Sequence, residues 1–343
     1  MSESRRRIWT IAALAIALPA ALLIACAVGT VPLPAADVVR GLWAGVTGLG
    51  APDGGAGDAS RTILLSVRLP RVLLAALVGG GLAVVGAALQ SIFRNPMADS
   101  GLLGIGPGAA LGAVLAVHLD WAQRVFLALP LSAFLGAMAA TLAVYALSRL
   151  AGRTTLSGLL LTGLAVSALA SAGTSILLVA SDEFRVKAVL FWLAGGLEGR
   201  GWAHVESAAL LILAGALALI ALSRVLDVLA LGETEAAALG LSVTVARLGI
   251  LGIAAIVAGA ATAAAGSVPF VGLIAAHALR PLVGPRGRHL LPATFLAGAL
   301  LVVLSDLAAR TLDLRIELPL GSLTSVVGAP YFLLALRGLK ERE

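Results

Sequence analysis

Residue types that commonly carry out enzymatic chemistry are few in this sequence, and their spacing fits no known site. The four histidines, His118, His204, His277 and His289, are scattered along the chain, and no His-Glu-x-x-His pair occurs. The single cysteine, Cys26, excludes an internal disulfide and any zinc or iron–sulfur site that needs several cysteines. We therefore predict no catalytic residue and no resident metal or cofactor.

Nucleotide hydrolysis by this chain is also excluded. A Walker-type phosphate loop needs a lysine directly followed by Ser or Thr, because the ammonium group must reach the β- and γ-phosphates. The two lysines are Lys187, which precedes Ala188, and Lys340, which precedes Glu341. We predict that the chain is not an enzyme and is not its own ATPase.

The composition identifies the solvent that these residues face. Of the 343 residues, 60% are hydrophobic and 12% are charged, and the mean hydropathy is +1.04. Soluble domains are about 45–50% apolar and about 25% charged, so a water-soluble protein is excluded and the bilayer is the predicted solvent. The net charge of +6 comes almost entirely from arginines. In a membrane protein an excess of arginine determines which side of the membrane each loop faces. We therefore predict no nucleic-acid partner.

Apolar runs bounded by charge, proline or glycine predict an all-α polytopic membrane protein, one transmembrane domain over residues 1–343, with ten spans. They lie at residues 8–28, 70–92, 102–118, 124–148, 156–180, 204–224, 243–265, 269–284, 290–310 and 322–338. The arginine distribution places both termini in the cytoplasm. The alternative is that residues 5–26 form a cleaved signal segment, since Cys26 ends a lipoprotein-like box.

Acidic residues inside the spans would indicate an ion-driven carrier, because such groups bind and release the driving ion. None lies in the middle of a predicted span. Asp306 is close to the outer end of one span, and Arg310 follows it one helical turn later, so a structural ion pair is the expected role. Energy for any transport must then come from another subunit.

Two local patterns interrupt the apolar runs. Gly104, Gly106 and Pro107 cannot form a good uninterrupted helix, which predicts either a broken element near a translocation axis or a packing kink. Residues 225–242 form a connection in which Gly232 and Gly240 bracket a stretch of high helix propensity with an acidic start. This stretch is predicted to be a small surface helix, for docking or as a plain connector.

Several short motifs, in order along most of the chain, resemble the FecCD family of permease subunits of bacterial ABC importers for iron-siderophores, haem and vitamin B12. They are residues 68–71 (RLPR), 86–90 (GAALQ), 94–99 (RNPMAD), 103–109 (LGIGPGA), 231–234 (LGET), 270–274 (FVGLI), 317–321 (ELPLG) and 328–332 (GAPYF). The resemblance implies a type II importer fold with ten helices per subunit in the inner membrane. It also implies a homodimer, two cytoplasmic ATPase subunits that bind ATP and Mg²⁺, and a periplasmic binding protein.

The resemblance implies roles for particular residues. Arg68, Arg71 and Arg310 lie at outer span ends, against the positive-inside bias, and by resemblance receive acidic side chains of the binding protein. The alternative is headgroup binding or internal pairing, for Arg310 with Asp306. The implied ATPase-coupling residues are Leu231, Gly232, Glu233, Thr234, Glu235 and Gly240. The implied path or gate residues are Gly104, Gly106, Pro107, Leu156 and Ser157.

The cargo is predicted from the outer stretch 181–196, which is similar to the haem branch of the family. Arg185 in this stretch is predicted to attract haem propionates, or alternatively to pair with Asp182 within one turn. We therefore expect haem as cargo, with a ferric siderophore and then cobalamin as alternatives. An ion-coupled secondary transporter is the alternative from a different functional class.

Overall fold

A computed structural model describes residues 3–29, 31–47, 56–150, 156–312 and 317–340. Every regular element in these residues is a helix, as predicted. In chain order the α-helices are α1 (Glu3–Ala27), α2 (Ala35–Thr47), α3 (Ala56–Thr62), α4 (Leu69–Ile92), α5 (Ile105–His118), α6 (Trp121–Arg124), α7 (Ala128–Leu150), α8 (Leu156–Val179), α9 (Glu183–Leu193), α10 (Trp202–Ala221), α11 (Ser223–Leu231), α12 (Glu233–Ala238), α13 (Val243–Ala265), α14 (Val271–Val283), α15 (Gly287–Ala309) and α16 (Leu320–Lys340).

All ten predicted spans fall on helices, but only some of these helices are long enough to cross a bilayer. Seven meet the length and composition of a span. Six of them are α1, α7, α8, α10, α13 and α15, and the seventh is the continuous helical stretch Ala59–Ile92, which contains α4. Three apolar helices are shorter, namely α5, α14 and the Leu320–Leu334 part of α16. At 1.5 Å per residue α5 is about 21 Å long, less than the ~30 Å hydrocarbon layer. Ten complete crossings therefore stay a prediction.

Helix α4 forms the centre of the bundle. It is apolar around its whole circumference, and 83% of its most apolar window is buried against α10, α13, α14 and α15. The peripheral helices are very different, since only 17% of the α1 window and 22% of the α8 window are buried. Their outer faces carry exposed apolar side chains, which suits contact with lipid or with another membrane subunit.

Small residues allow α4 to approach α15 closely. A Cβ atom added to Gly79 would lie 2.2 Å from the carbonyl oxygen of Gly298, and one added to Gly298 would lie 2.4 Å from the carbonyl oxygen of Gly79. Backbone therefore packs directly on backbone at this crossing, which a larger side chain would prevent. The tight packing expected from the glycine-rich sequence is present here.

Candidate functional sites

Arg68 ends a π-helical turn (Ile63–Arg68) immediately before α4 and is almost completely buried. Its guanidinium donates to the backbone oxygens of Cys26 at 2.8 Å, of Ala27 at 2.9 Å and of Val31. The carbonyl groups at the end of α1 have no partners within their own helix, so a buried end of α1 requires such donors. Arg68 therefore satisfies the last turn of α1.

Arg310, which follows α15, satisfies the same turn from the other side. Its guanidinium donates to the oxygen of Ala25 at 2.5 Å and of Val28 at 3.2 Å, and it pairs with Asp306 at 3.3 Å. The internal ion pair left open from the sequence is thus confirmed. Arg68 and Arg310 are buried and engaged within the chain, and docking of a partner protein on either of them stays a prediction.

Arg71 lies at the centre of an acidic environment one turn into α4. It pairs with Asp306 at 2.9 Å, and it makes a bidentate contact with Glu317 through Nη1 at 3.1 Å and Nη2 at 2.8 Å. The side chain of Asp306 is 1% exposed, whereas that of Glu317 is 35% exposed. Asp306 therefore serves two arginines inside the protein, and Glu317 is the partner that solvent can reach.

A cavity of about 490 Å³ opens beside this ion-pair network. Its aromatic lining comes from α9 and from the turn before α7, and its charged and polar lining is supplied by Arg71, Glu198, Arg200, His204, Asp306 and Glu317. Arg200 Nη1 lies 2.9 Å from His204 Nε2, and burial lowers the pKa of the Arg200 guanidinium, which nevertheless stays protonated. Sequence analysis missed Arg200 and His204 as residues of this site, because no motif joins them to Arg71.

Arg185 lies in α9, outside this cavity. It pairs with Asp120 at 2.9 Å and with Asp182 at 3.1 Å, so the local pairing considered from the sequence is confirmed. Two carboxylates neutralise its charge. Attraction of an anionic cargo by Arg185 stays an untested prediction, and the geometry gives it no support.

The predicted surface helix is present at the other end of α4. Gly232, with φ of +132°, separates α11 from α12, and Gly240, with φ of +81°, follows α12. The side chains of Leu231, Thr234 and Glu235 are exposed. The exposed residues of α12 thus project from the bundle on a short helix held at both ends by glycine turns.

An ion pair fastens α12 to the bundle. Glu233 pairs with Arg247 of α13, and both border a cavity of about 400 Å³ that also includes Ile92 and Arg94. Arg71 borders the first cavity and Ile92 this one, and they are about 32 Å apart at 1.5 Å per residue of helix. The two cavities therefore lie at opposite ends of the bundle. Sequence analysis missed Arg247, since nothing local marks it as the partner of Glu233.

The predicted break before the third span is also present. A 3₁₀ turn (Ser100–Leu103) leads to Gly104, whose φ of +70° is left-handed, and α5 begins immediately afterwards. Gly106 and Pro107 lie in the first turn of α5, where proline lacks no helical hydrogen bond. Ser157 is exposed at the start of α8, while the side chain of Leu156 lies outside the described residues. A gating role for this group stays a prediction.

Three known membrane permeases are similar to this chain in sequence. The hemin transport permease HmuU of Yersinia pestis is 41% identical over 83% of this chain and 86% of its own length. The cobalamin import permease BtuC of Halobacterium salinarum is 39% identical over 92% of this chain and 82% of its own length. The Fe(3+) dicitrate permease FecD of Escherichia coli is 37% identical over 93% of this chain and 95% of its own length.

The fold agrees with these relatives. A solved metal-chelate-type ABC transporter in an inward-facing conformation superposes with a TM-score of 0.82 at 31% identity, covering 96% of this chain and 98% of that chain. The profile of the FecCD transport family matches residues 16–338. The chain is therefore a member of the FecCD transport family, the permease subunits of ABC importers for iron chelates, haem or vitamin B12.

Proposed function

We propose that this chain is the haem-translocating permease of a bacterial inner-membrane importer. It works as a homodimer with two ATPase subunits and a periplasmic binding protein, and both of its termini lie in the cytoplasm. The observation that carries this proposal is the pairing of an exposed docking helix, α12, with a sequence that has no phosphate-binding loop. Such a chain needs a separate ATPase to supply energy, and α12 offers that ATPase a surface to bind.

The coupling step follows from how α12 is held. Its exposed acidic start faces solvent, while the Glu233–Arg247 pair and the turn at Gly232 connect it to α13 and α11. ATP binding and hydrolysis in the partner subunits would move α12, and the rigid connections would transmit that movement to the helices around the break at Gly104. Cargo then passes by alternating access along the dimer axis, near the starts of α5 and α8.

A charge reversal on α12 tests the coupling step. Glu235→Lys changes an exposed residue in the first turn of α12, and Glu183→Lys makes the same change in the first turn of α9 at the opposite end of the bundle. We expect Glu235→Lys to lower copurification of the ATPase at least tenfold and Glu183→Lys to leave it unchanged. Equal copurification of both variants would contradict a coupling role for α12.

Docking of the binding protein is proposed to centre on Arg71, the least buried of the three arginines Arg68, Arg71 and Arg310. Arg71 borders the outer cavity, and its bidentate partner Glu317 is partly exposed, so an incoming carboxylate can replace Glu317. Arg71→Glu should weaken association of the binding protein at low salt, with folding checked by the elution profile. Unchanged association of a folded variant would remove this role.

Haem is proposed as cargo because HmuU is named as a hemin permease and the outer stretch 181–196 is similar to that branch. The cobalamin permease and the ferric dicitrate permease are almost as similar to this chain as HmuU is. The cargo must therefore be identified by experiment. The binding partner should be loaded in turn with haem, a ferric siderophore or cobalamin, and ATP turnover measured in liposomes. Stimulation by haem supports the proposal, and stimulation only by another ligand reassigns the cargo within the family.

A further inference from the structure

Two groups of arginines that are distant in the sequence meet where α1 begins. Arg6 Nε donates to the backbone oxygen of Leu282 at 3.3 Å, and Arg7 Nε donates to that of Val283 at 2.8 Å. These oxygens belong to the last turn of α14, directly before the turn that leads into α15. The basic cluster formed in this way consists of Arg6, Arg7, Arg286 and Arg288.

Several observations show that the members of the basic cluster are close together. Arg288 Nε lies 2.9 Å from His289 Nε2, and the charges of Arg7, Arg286 and Arg288 all act on the His289 ring. Arg7 Nη2 is 3.5 Å from the position that a Cβ atom on Gly284 would occupy. Guanidinium groups from two helices thus surround one small region and repel one another unless an anion lies between them.

The protein supplies too little negative charge to balance this cluster. Within the described residues, no ion pair joins any of its four arginines to a carboxylate. Two acidic residues are near: Glu3 in the first turn of α1, and Asp227, whose Oδ1 accepts from the Gly287 backbone N–H at 2.7 Å. Subtracting these two negative charges from the four positive ones leaves about +2, and the positive end of the α15 dipole adds to it.

Exposed apolar side chains next to the basic cluster suit the headgroup zone of a bilayer. Helix α1 lies on the outside of the bundle, and Ile8 and Trp9, which follow Arg7, are 63% and 68% exposed. Exposed tryptophan and isoleucine next to arginines are typical of the headgroup zone, where an indole ring meets both water and acyl chains. If an acidic protein surface bound the basic cluster, Ile8 and Trp9 would stay exposed to water. A lipid would cover both the arginines and these apolar side chains, so we favour a lipid as the ligand.

We propose that the basic cluster is a binding site for the phosphate of an anionic phospholipid, whose acyl chains lie along the exposed face of α1. The site needs neither the ATPase nor the cargo, so it does not depend on the proposed function. It would hold the start of α1 against the turn between α14 and α15.

The test compares two double variants of the full chain. Arg286→Gln/Arg288→Gln removes two exposed arginines of the cluster, and Arg40→Gln/Arg124→Gln removes two exposed arginines elsewhere. Binding of phosphatidylglycerol and of phosphatidylcholine to the purified protein is measured by native mass spectrometry. We expect wild type and the control variant to retain phosphatidylglycerol preferentially, and the cluster variant to bind it roughly tenfold or more weakly.

Two further arms make the outcomes decisive. Inorganic phosphate at the same concentration should not raise the unfolding temperature, whereas phosphatidylglycerol should raise it in wild type and not in the cluster variant. A phosphate effect equal to the lipid effect would contradict a lipid site, as would equal loss of lipid in both double variants. Absence of lipid preference together with loss of a copurifying protein from the cluster variant would reassign the cluster to an acidic partner.

Discussion

Two arginines at the end of the bundle where α1 ends, Arg68 and Arg310, act mainly on the protein's own backbone. Arg68 and Arg310 together reach carbonyl groups over the end of α1, and neither is accessible to a partner in this conformation. A charged donor that serves several carbonyls is worth more than a neutral one, because each hydrogen bond is charge-assisted. These two residues therefore hold α1 against the first turn of α4 and the end of α15.

Loss of Arg68 should consequently destabilise the protein. Arg68→Gln leaves the buried carbonyl group of Cys26 without the Arg68 donor, whereas the Ala27 carbonyl keeps the Leu33 N–H at 3.0 Å, and a buried unsatisfied group costs roughly 1–3 kcal/mol. We expect a lower unfolding temperature in detergent and faster proteolysis of the segment between α1 and α2. If Arg68 acted only in docking, Arg68→Gln would unfold like wild type and lose only its association with the binding protein.

Asp306 and Glu317 should respond differently to loss of their charge. Asp306→Asn leaves Arg71 and Arg310 with a single, partly exposed carboxylate between them, and breaking a buried pair costs about 3–5 kcal/mol. Glu317→Gln removes a partner that solvent can replace, so about 1 kcal/mol is expected. Unfolding temperatures of the two variants measure this difference, and a larger loss for Glu317→Gln would contradict the assignment.

Spacing along one helix was enough to predict the Asp306–Arg310 and Asp182–Arg185 pairs, because residues three or four apart share a helix face. The partners of Arg68 and Arg71 could not be predicted in this way. Arg68 contacts carbonyl groups, which every residue has, and Arg71 contacts Glu317 across a sequence separation of 246 positions. Such contacts are decided by tertiary packing alone.

At the scale of elements, each of the ten predicted spans coincides with a helix, whereas α2 and α9 were not predicted. Apolar runs in lipid have to be helical, because every backbone N–H and C=O must find a partner within the segment. Helix α5 ended up shorter than predicted, starting at Ile105 rather than residue 102, because Gly104 takes a left-handed conformation that ends the preceding 3₁₀ turn. Helix ends set by glycine or proline conformations were thus harder to predict than helix existence.

The crossing of α4 and α15 gives a prediction about packing. Gly79→Leu would force apart two backbones that are in direct contact, and overpacking of this kind costs about 1–3 kcal/mol or more. Gly252→Ala in α13 is the control, because a Cβ atom there meets nothing within 4 Å. We expect the unfolding temperature of Gly79→Leu to fall clearly and that of Gly252→Ala to stay unchanged or rise. Equal stability would show that this crossing is not tightly packed.

For the whole molecule, the two ends of the bundle have different chemistry. One end carries the cavity bordered by Arg71, Arg200 and His204, and the other carries the exposed helix α12 with its acidic start. Charged residues buried in the described part of the bundle are engaged with one another or with backbone carbonyls, as Asp306 and Arg310 are. A carrier driven by ions would need a carboxylate free to exchange its proton, and Asp306 is held by two arginines.

The most direct measurement is cargo uptake into liposomes that contain this chain, with and without the copurified ATPase. The proposed function predicts that loaded binding protein delivers cargo to the lumen only when both the ATPase and ATP are present. An ion gradient across the membrane should not replace ATP. Uphill accumulation of cargo by this chain alone, driven by a proton or sodium gradient, would contradict the account.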